Sequence, residues 1–272
     1  MTIYKARTLA DSYKLRSKAK NINELNGRGE YRDLTNFVIS NILLQFKINP
    51  TYTIVDVGCG DCTLFKQLLK KFKGVYSGKL IGILPNLEEI QRVERCIIEN
   101  HEIKSNVIAL QHGTVENINL PDDHCDLLVI NSVLHGAAEN LKDARTALIE
   151  LIRIIKPGGQ LYIGELPSVD EFADRNYNKD SIISWLKWIY NQRGFSEFWV
   201  NFLRVVKCMI SKEPFIIEPK KKFYILPEDF IEMMKNFEVQ VIRYYPHQEL
   251  NQNKVPIDSV SRWNYIFVKK SS

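Results

Sequence analysis

Apolar runs and amphipathic stretches alternate regularly between positions 51 and 166. The runs at 53–57, 79–84, 107–110, 126–130 and 160–165 are short and largely apolar, which predicts buried strands. Between them apolar residues recur at helical spacing, which predicts helices over 63–72, 86–100 and 141–155, and a further helix over 34–46 comes before the first strand. Strands that alternate with helices in this way predict an α/β fold, a doubly wound, Rossmann-like parallel sheet with helices on both faces.

The alternation stops after position 166. Residues 180–210 carry two amphipathic patterns with Gly194 between them, which predicts a helical insertion after the fifth strand. A helix over 227–235 and strands over 237–245 and 263–269, joined by a polar loop at 246–261, are expected to complete the sheet. The predicted organisation is an N-terminal helical arm (1–50), a cofactor-binding core (51–166), a helical lid (167–222) and a C-terminal helix with the closing strands (223–272).

The apolar faces of the insertion allow several interpretations. They can pack over the sheet and form a lid over an apolar or aromatic substrate, which is the interpretation we favour, or they can join two copies of the chain in a homodimer. A third interpretation is binding to a membrane surface, because Lys187, Arg193, Arg204 and Lys207 accompany the apolar residues.

Charge and composition narrow the class of protein. The 272 residues include 37 basic and 32 acidic side chains, and the longest basic run is only Lys220-Lys221-Lys222, so nucleic-acid binding is not expected. Five cysteines are an odd number, which argues against a secreted disulfide framework. The sequence has neither a signal-peptide pattern nor an apolar run of about 18 residues, so we expect a cytoplasmic protein without a membrane-spanning segment.

The segment from Val55 to Cys62 (VDVGCGDC) carries the most chemical information. It follows the first predicted strand of the core and opens a helix, which is the setting of a nucleotide-binding glycine loop. Gly58 and Gly60 allow a sharp turn and a close approach of the backbone to a ligand. Cys59 and Cys62 lack a second cysteine pair, so we expect no metal site and regard both as small loop residues rather than a redox pair. A nicotinamide-binding loop fits poorly, because Thr63 stands where its third glycine is expected.

Companion motifs follow in a fixed order. They are Gly113-Thr114-Val115-Glu116 after the third strand, Asn131-Ser132-Val133-Leu134-His135 after the fourth, and Lys156-Pro157-Gly158-Gly159 before the fifth. Together with the glycine loop, this set resembles the class I S-adenosylmethionine-dependent methyltransferases that act on small molecules, over roughly residues 50–166. The resemblance implies a strand order of 3-2-1-4-5-7-6 with the seventh strand antiparallel.

The resemblance also implies S-adenosylmethionine as cofactor, S-adenosylhomocysteine as its product, and four groups of cofactor-binding residues. These are Asp56, Gly58, Cys59 and Gly60 in the glycine loop; Leu84, Pro85 and Asn86 at the end of the second strand; Thr114, Val115 and Glu116 after the third; and Asn131 and Ser132 after the fourth.

Two of these positions, and Cys62 beside them, depart from the family pattern. Leu84 stands where an acid usually holds the ribose hydroxyls through charge-assisted bonds, Thr114 replaces a common aspartate, and Cys62 replaces a frequent third glycine. Asn86, Glu88 or Glu116 are the candidates to replace the missing acid. An alternative is therefore a degenerate methyltransferase fold that serves as a binding or assembly subunit without turnover.

The reaction that the resemblance implies is methyl transfer by in-line displacement to an oxygen, nitrogen or carbon atom of a small molecule. The protein then mainly aligns and desolvates the reactants, and a general base assists if the acceptor is a hydroxyl. His135 and Glu165 are the first candidates for that base, followed by His247 and Tyr31.

Overall fold

The computed structural model of the chain describes residues 3–5, 32–73, 75–99, 107–168, 182–211, 215–217, 223–250 and 254–271. The chain divides into two compact units. The larger unit comprises residues 21–170 and 222–272, and the smaller comprises residues 1–20 and 171–221.

Nine strands and seven helices are numbered here in chain order among the described residues. The strands are β1 Ile3–Lys5, β2 Thr53–Val57, β3 Lys79–Leu84, β4 Ile108–His112, β5 Cys125–Asn131, β6 Ile155–Pro167, β7 Phe215–Ile217, β8 Val239–Leu250 and β9 Pro256–Lys269. The helices are α1 Arg32–Leu44, α2 Thr63–Lys71, α3 Leu87–Glu99, α4 Leu134–Ala137, α5 Leu141–Arg153, α6 Ile182–Ser211 and α7 Pro227–Met234.

The larger unit is built on a seven-stranded sheet in the order β4-β3-β2-β5-β6-β9-β8. Its first five strands are parallel, and β9 runs antiparallel to both β6 and β8. The order implied by the resemblance is therefore confirmed. Because β2 lies between β3 and β5, its last residue, Val57, pairs with Ile83 on one side and Ile130 on the other. The chain leaves the sheet there at the point where strand order reverses, which is where ligands bind in such sheets.

Two apolar layers cover the sheet, as the continuously apolar strands predict. Successive strand residues point to opposite faces, so Val55 and Val57 join one layer while Ile54 joins the other. Helix α5 supplies Ala144, Leu148, Leu151 and Ile152 to the first layer. Helices α1, α2 and α3 supply the second layer, where Phe65 and Leu68 are fully buried.

The prediction of a polar loop over 246–261 is wrong, because β8 and β9 extend into that segment. Gln248 pairs with Asp258 and Leu250 with Pro256, and the Gln248 side chain donates a hydrogen bond to Asp258 over 3.1 Å. An antiparallel pair tolerates polar residues on a solvated face, so hydrophobic pattern alone underestimates such strands. Strand β6 likewise starts at Ile155, five residues before the predicted position, since Cys125 already pairs with Ile155.

The smaller unit contains a short parallel pair and a long helical segment. Ile3 in β1 pairs with Phe215 in β7. Helix α6 is interrupted at Gly194, whose backbone has φ 82° and ψ −178°, so the prediction of two helices with Gly194 between them is confirmed. Among the described residues, no helix is both long enough and apolar enough to cross a membrane.

Candidate active site

The glycine loop turns sharply at the end of β2. Gly58 and Gly60 have φ values of +77° and +55°, a left-handed backbone that glycine adopts without strain. The Gly58 amide donates to the Ile83 carbonyl over 2.9 Å, which fixes the loop to the neighbouring strand. A Cβ atom at Gly58 would collide with the Val133 side chain. Glycine at position 58 is therefore required both by the turn and by the close approach of the loop after β5.

A polar contact holds the loop where α2 begins. The Asp61 carboxylate accepts hydrogen bonds from the Thr63 amide over 3.2 Å and from its hydroxyl over 2.5 Å. One of the free N–H groups at the start of the helix is thereby satisfied. The Cys62 amide donates to the Cys59 carbonyl over 2.9 Å and closes the turn between them.

Cys59 and Cys62 are buried free thiols whose sulfur atoms lie 3.7 Å apart. The hydrogen bond with Cys62 and burial raise the pKa of Cys59 well above its ordinary value, which favours a neutral thiol. The described residues contain no group of three or more side chains suited to a metal ion. The environment is that of small apolar residues packed in a loop.

Asp56 lies in β2, two residues before the loop, and is buried. Burial raises the pKa of its carboxyl to about 7, and the nearby negative charge of Asp61 adds to the effect. Near neutral pH the Asp56 carboxyl therefore exchanges between its charged and neutral forms.

The end of β3 presents a leucine where the family pattern has a carboxylate, and an amide follows two residues later. Leu84 is buried in the apolar layer beneath α3, and its carbonyl accepts a hydrogen bond from the Gly113 amide over 3.0 Å. Two residues further on, the Asn86 side-chain nitrogen Nδ2 is buried and has no hydrogen-bond partner among the described residues. Glu88 and Glu116 are both exposed. Asn86 thus carries a buried donor that lacks a protein acceptor.

The segment after β4 forms a tight turn. The Thr114 and Asn117 backbones exchange two hydrogen bonds of 3.1 Å, which leaves Thr114 and Glu116 exposed and buries Val115. His112 donates through Nε2 to the carbonyl of Pro85 over 3.1 Å. This bond ties the end of β4 to the segment that follows β3.

Asn131 and Ser132 lie at the end of β5, beside β6. Ser132 has φ +60° and its amide donates to the Gly164 carbonyl over 3.0 Å. Asn131 donates through Nδ2 to Glu165 over 2.9 Å, while its buried Oδ1 has no hydrogen-bond partner among the described residues. A Cβ atom at Gly164 would collide with Oδ1 of Asn131, so glycine is needed there for the Asn131 side chain to fit.

Glu165 is the centre of a buried polar cluster built from four strands, because Asn131 on β5 also donates to it. Its Oε2 accepts a hydrogen bond from Arg262 over 3.2 Å, its backbone amide donates to Asn264 over 3.0 Å, and its Oε1 lies 3.8 Å from Nε2 of His247. A buried carboxylate is tolerated when it is paired and hydrogen-bonded. Glu165 also has φ +56°, a strained backbone for a residue with a side chain, and such strain is concentrated at functional sites.

The other base candidates are placed differently. His135 is buried, and its backbone carbonyl accepts a hydrogen bond from the Phe223 amide over 2.9 Å. Tyr31 lies outside the described residues. Arg262 and Asn264 are site residues that sequence reasoning missed. They lie 97 and 99 positions from Glu165, in a segment recognised only as a closing strand, so no spacing pattern connects them.

Comparison with known proteins agrees with this architecture. Residues 55–163 match the model of a methyltransferase domain. An uncharacterized methyltransferase of Schizosaccharomyces pombe is 30% identical over 123 residues, which cover 44% of this chain and 41% of that protein. The ubiquinone/menaquinone biosynthesis C-methyltransferase of Cupriavidus necator is 28% identical over 172 residues, or 62% of this chain and 65% of that protein.

The match spans less than two thirds of the length of both of these relatives. Among solved structures, the N-methyltransferase NodS from Bradyrhizobium japonicum, in complex with S-adenosylhomocysteine, is similar in fold, with a TM-score of 0.55 at 12% identity over 96% of this chain and 98% of that one. The matched domain, the order of the seven strands and the glycine loop at the strand switch point agree: the core of this chain is a class I S-adenosylmethionine-dependent methyltransferase domain.

Proposed function

We propose that this protein transfers a methyl group from S-adenosylmethionine to a small-molecule acceptor. The observation that carries the proposal is the meeting of two features at one edge of the sheet. The glycine loop follows β2, and the hydrogen-bonded pair of Asn131 and Glu165 lies at the carboxyl ends of the next two strands of the sheet, β5 and β6. Because the carboxyl ends of parallel strands share an edge, a cofactor site and an acceptor site adjoin there.

The residues present fit the cofactor. Gly58 and Gly60 form a tight left-handed turn of the kind that lets the backbone approach a ligand closely, and Asn86 offers a buried donor suited to a ribose hydroxyl oxygen. Thr114 and Val115 form the turn proposed to contact the adenine. When bound, S-adenosylmethionine supplies a methyl group made electrophilic by its positively charged sulfur. The chain's own part is to orient the two reactants and exclude water.

Glu165 is proposed to hold a neighbouring side chain in position rather than to accept the proton itself. Each of its oxygens is held by a hydrogen bond, one from Asn131 and the other from Arg262, so the carboxylate is fixed in place. His247 lies 3.8 Å from the same carboxylate, a distance that shortens readily when a site fills. We infer that Glu165 orients His247 towards a hydroxyl or amine acceptor, with buried His135 as the competing base.

The alternative is a degenerate methyltransferase fold that serves as a binding or assembly subunit without turnover. Leu84 and Thr114 favour it, because both replace residues that commonly bind the adenosine end. Transfer of the methyl group separates the two proposals most directly, because a subunit of this kind has no turnover.

The test is a transfer assay with methyl-labelled S-adenosylmethionine and a small-molecule extract of the source cells. We expect label in a low-mass product. His247→Asn should lower the rate at least about a hundredfold, and Glu165→Gln should lower it less. His135→Asn is the matched comparison. Binding of S-adenosylhomocysteine without any transfer of label would favour the subunit alternative.

A further inference from the structure

The second half of α6, after Gly194, carries a stripe of exposed apolar side chains. Its members are spaced by four, four and seven residues, which places them on one face of a helix. Each of them is between 43% and 79% exposed to solvent. The members of this apolar stripe are Phe195, Trp199, Leu203 and Ile210.

The stripe remains largely exposed and is not the main packing face of the helix, although the Trp199 ring lies 5.9 Å from the Phe198 ring and 5.3 Å from the Phe202 ring. Another side of the same helix supplies that contact, where Val205 is buried and Phe198 and Phe202 are partly buried. Phe198 also meets Tyr190 from before the Gly194 break at a ring separation of 5.8 Å, which ties the two halves of α6 together. The stripe is therefore additional apolar surface, and contiguous exposed apolar surface marks interaction sites.

The first half of α6 repeats the same arrangement. Ile183 and Tyr190, seven residues apart, are 78% and 52% exposed, and the exposed Lys187 lies between them. In the second half the exposed Lys207 lies four residues after Leu203, at the border of the stripe. Lysines at the border of an apolar face extend their charged ends away from it while their aliphatic stems stay on it.

The net positive charge of residues 182–211 indicates which kind of partner the apolar stripe would bind. Residues 182–211 include four basic side chains, those of Lys187, Arg193, Arg204 and Lys207, against the single acid Glu197. Two copies of this face would bring like charges together. An anionic bilayer instead offers hydrocarbon to the stripe and negative headgroups to the lysines, which is the pattern of interfacial amphipathic helices.

We propose that α6 binds the surface of an anionic lipid bilayer, with the apolar stripe inserted at the headgroup boundary and Lys187 and Lys207 at the phosphates. No helix in the described part of the chain is apolar enough to span the bilayer, so the contact is one of adsorption. The attraction between lysine and an anionic surface weakens with salt, whereas insertion of the stripe does not. Binding then depends on both the lipid charge and the apolar side chains.

The test uses the full chain in co-sedimentation with vesicles of phosphatidylcholine alone or with about one third phosphatidylglycerol. We expect binding to the anionic vesicles and at least tenfold weaker partition to the neutral ones. The pair Trp199→Ser with Leu203→Ser removes most binding. Lys187→Gln and Lys207→Gln each reduce partition about fivefold at low salt, as one lysine contributes near such a surface.

The matched controls are Ile149→Ser and Lys142→Gln, exposed positions of α5 in the larger unit. Both controls should bind vesicles as the wild type does, and melting curves check that every variant is folded. Equal binding to neutral and anionic vesicles, or no binding at all, overturns the proposal. So does a dimer in size-exclusion chromatography that the stripe variants lose, because the face would then join two copies of the chain.

Discussion

Asn86 and Leu84 lie at the same strand end but in different surroundings, and this separates their expected effects on the cofactor. Leu84 is buried in the apolar layer, whereas Asn86 holds a buried donor without a partner among the described residues. Asn86→Ala should weaken S-adenosylhomocysteine binding about threefold to tenfold, the contribution of one hydrogen bond. Leu84→Asp should lower stability without tightening binding, because the new carboxylate enters an apolar layer.

Titration calorimetry on a double-mutant cycle between positions 84 and 86 measures both effects. Glu88→Gln, an exposed neighbour, is the control and should bind as the wild type does. Unchanged affinity in Asn86→Ala would mean that the ribose is held elsewhere.

The buried carboxyl of Asp56 makes the stability of the folded protein depend on pH. Its pKa is raised to about 7 from an ordinary value near 3.8, so between these values the folded state retains a proton that the unfolded state has released. The contribution of Asp56 to stability is therefore full below about pH 4 and is lost as pH rises through about 7. Asp56→Asn should flatten this slope in melting temperatures measured across the window, while exposed Glu139→Gln should keep it. An identical pH slope in Asp56→Asn and the wild type would contradict the assignment.

Some residues of the site could be predicted from the sequence and others could not. The glycine loop was predictable because Gly58 and Gly60 are local and their backbone needs glycine. Contacts of Glu165 with Arg262 and Asn264 were not, because they join positions about one hundred residues apart and leave no periodic signal. Buried polar networks are set by tertiary neighbours, which propensity does not encode.

At the scale of elements, helix α7 packs on the closing hairpin through one ring. Phe230 is fully buried and lies 4.6 Å from the Tyr265 ring and 6.2 Å from the Phe267 ring, both on β9. Phe230→Ala should remove about 3–5 kcal/mol of stability, which lowers the melting temperature by on the order of 10 °C. Tyr224→Ala, at a position 48% exposed, is the comparison and should change it little. Equal losses in the two variants would show that α7 does not stabilise the hairpin.

Secondary-structure elements were predictable where the residues are continuously apolar, and less so where a strand continues through polar residues. The buried parallel strands are apolar throughout, so β2 and β3 match their predicted bounds. Strand β8 continues through polar residues to Leu250, because hydrogen bonding to β9 rather than burial defines its second half. The hydrophobic pattern of a sequence indicates which segments are buried. A strand with one solvated face carries fewer apolar residues, so its pattern is weaker.

At the scale of the whole molecule, the order of the sheet followed from the resemblance, and the pairing of distant segments did not. The seven-stranded order agrees with the family because right-handed crossovers and short connections leave few alternatives. The parallel pairing of β1 with β7 joins residues more than two hundred positions apart. Neither segment is long enough to carry a pattern of its own, so only the folded chain reveals the pair.

The measurement that tests the central proposal most directly is calorimetric titration of S-adenosylhomocysteine into the wild type, Gly58→Ala and Gly158→Ala. Both glycines have positive φ, near 77°, so alanine introduces similar backbone strain at each. A Cβ at Gly158 meets nothing within 4 Å, whereas one at Gly58 collides with Val133. We expect the wild type and Gly158→Ala to bind alike and Gly58→Ala to lose binding while it stays folded. No heat of binding to the folded wild type, or equal binding by both variants, would contradict the proposal that this loop holds the cofactor.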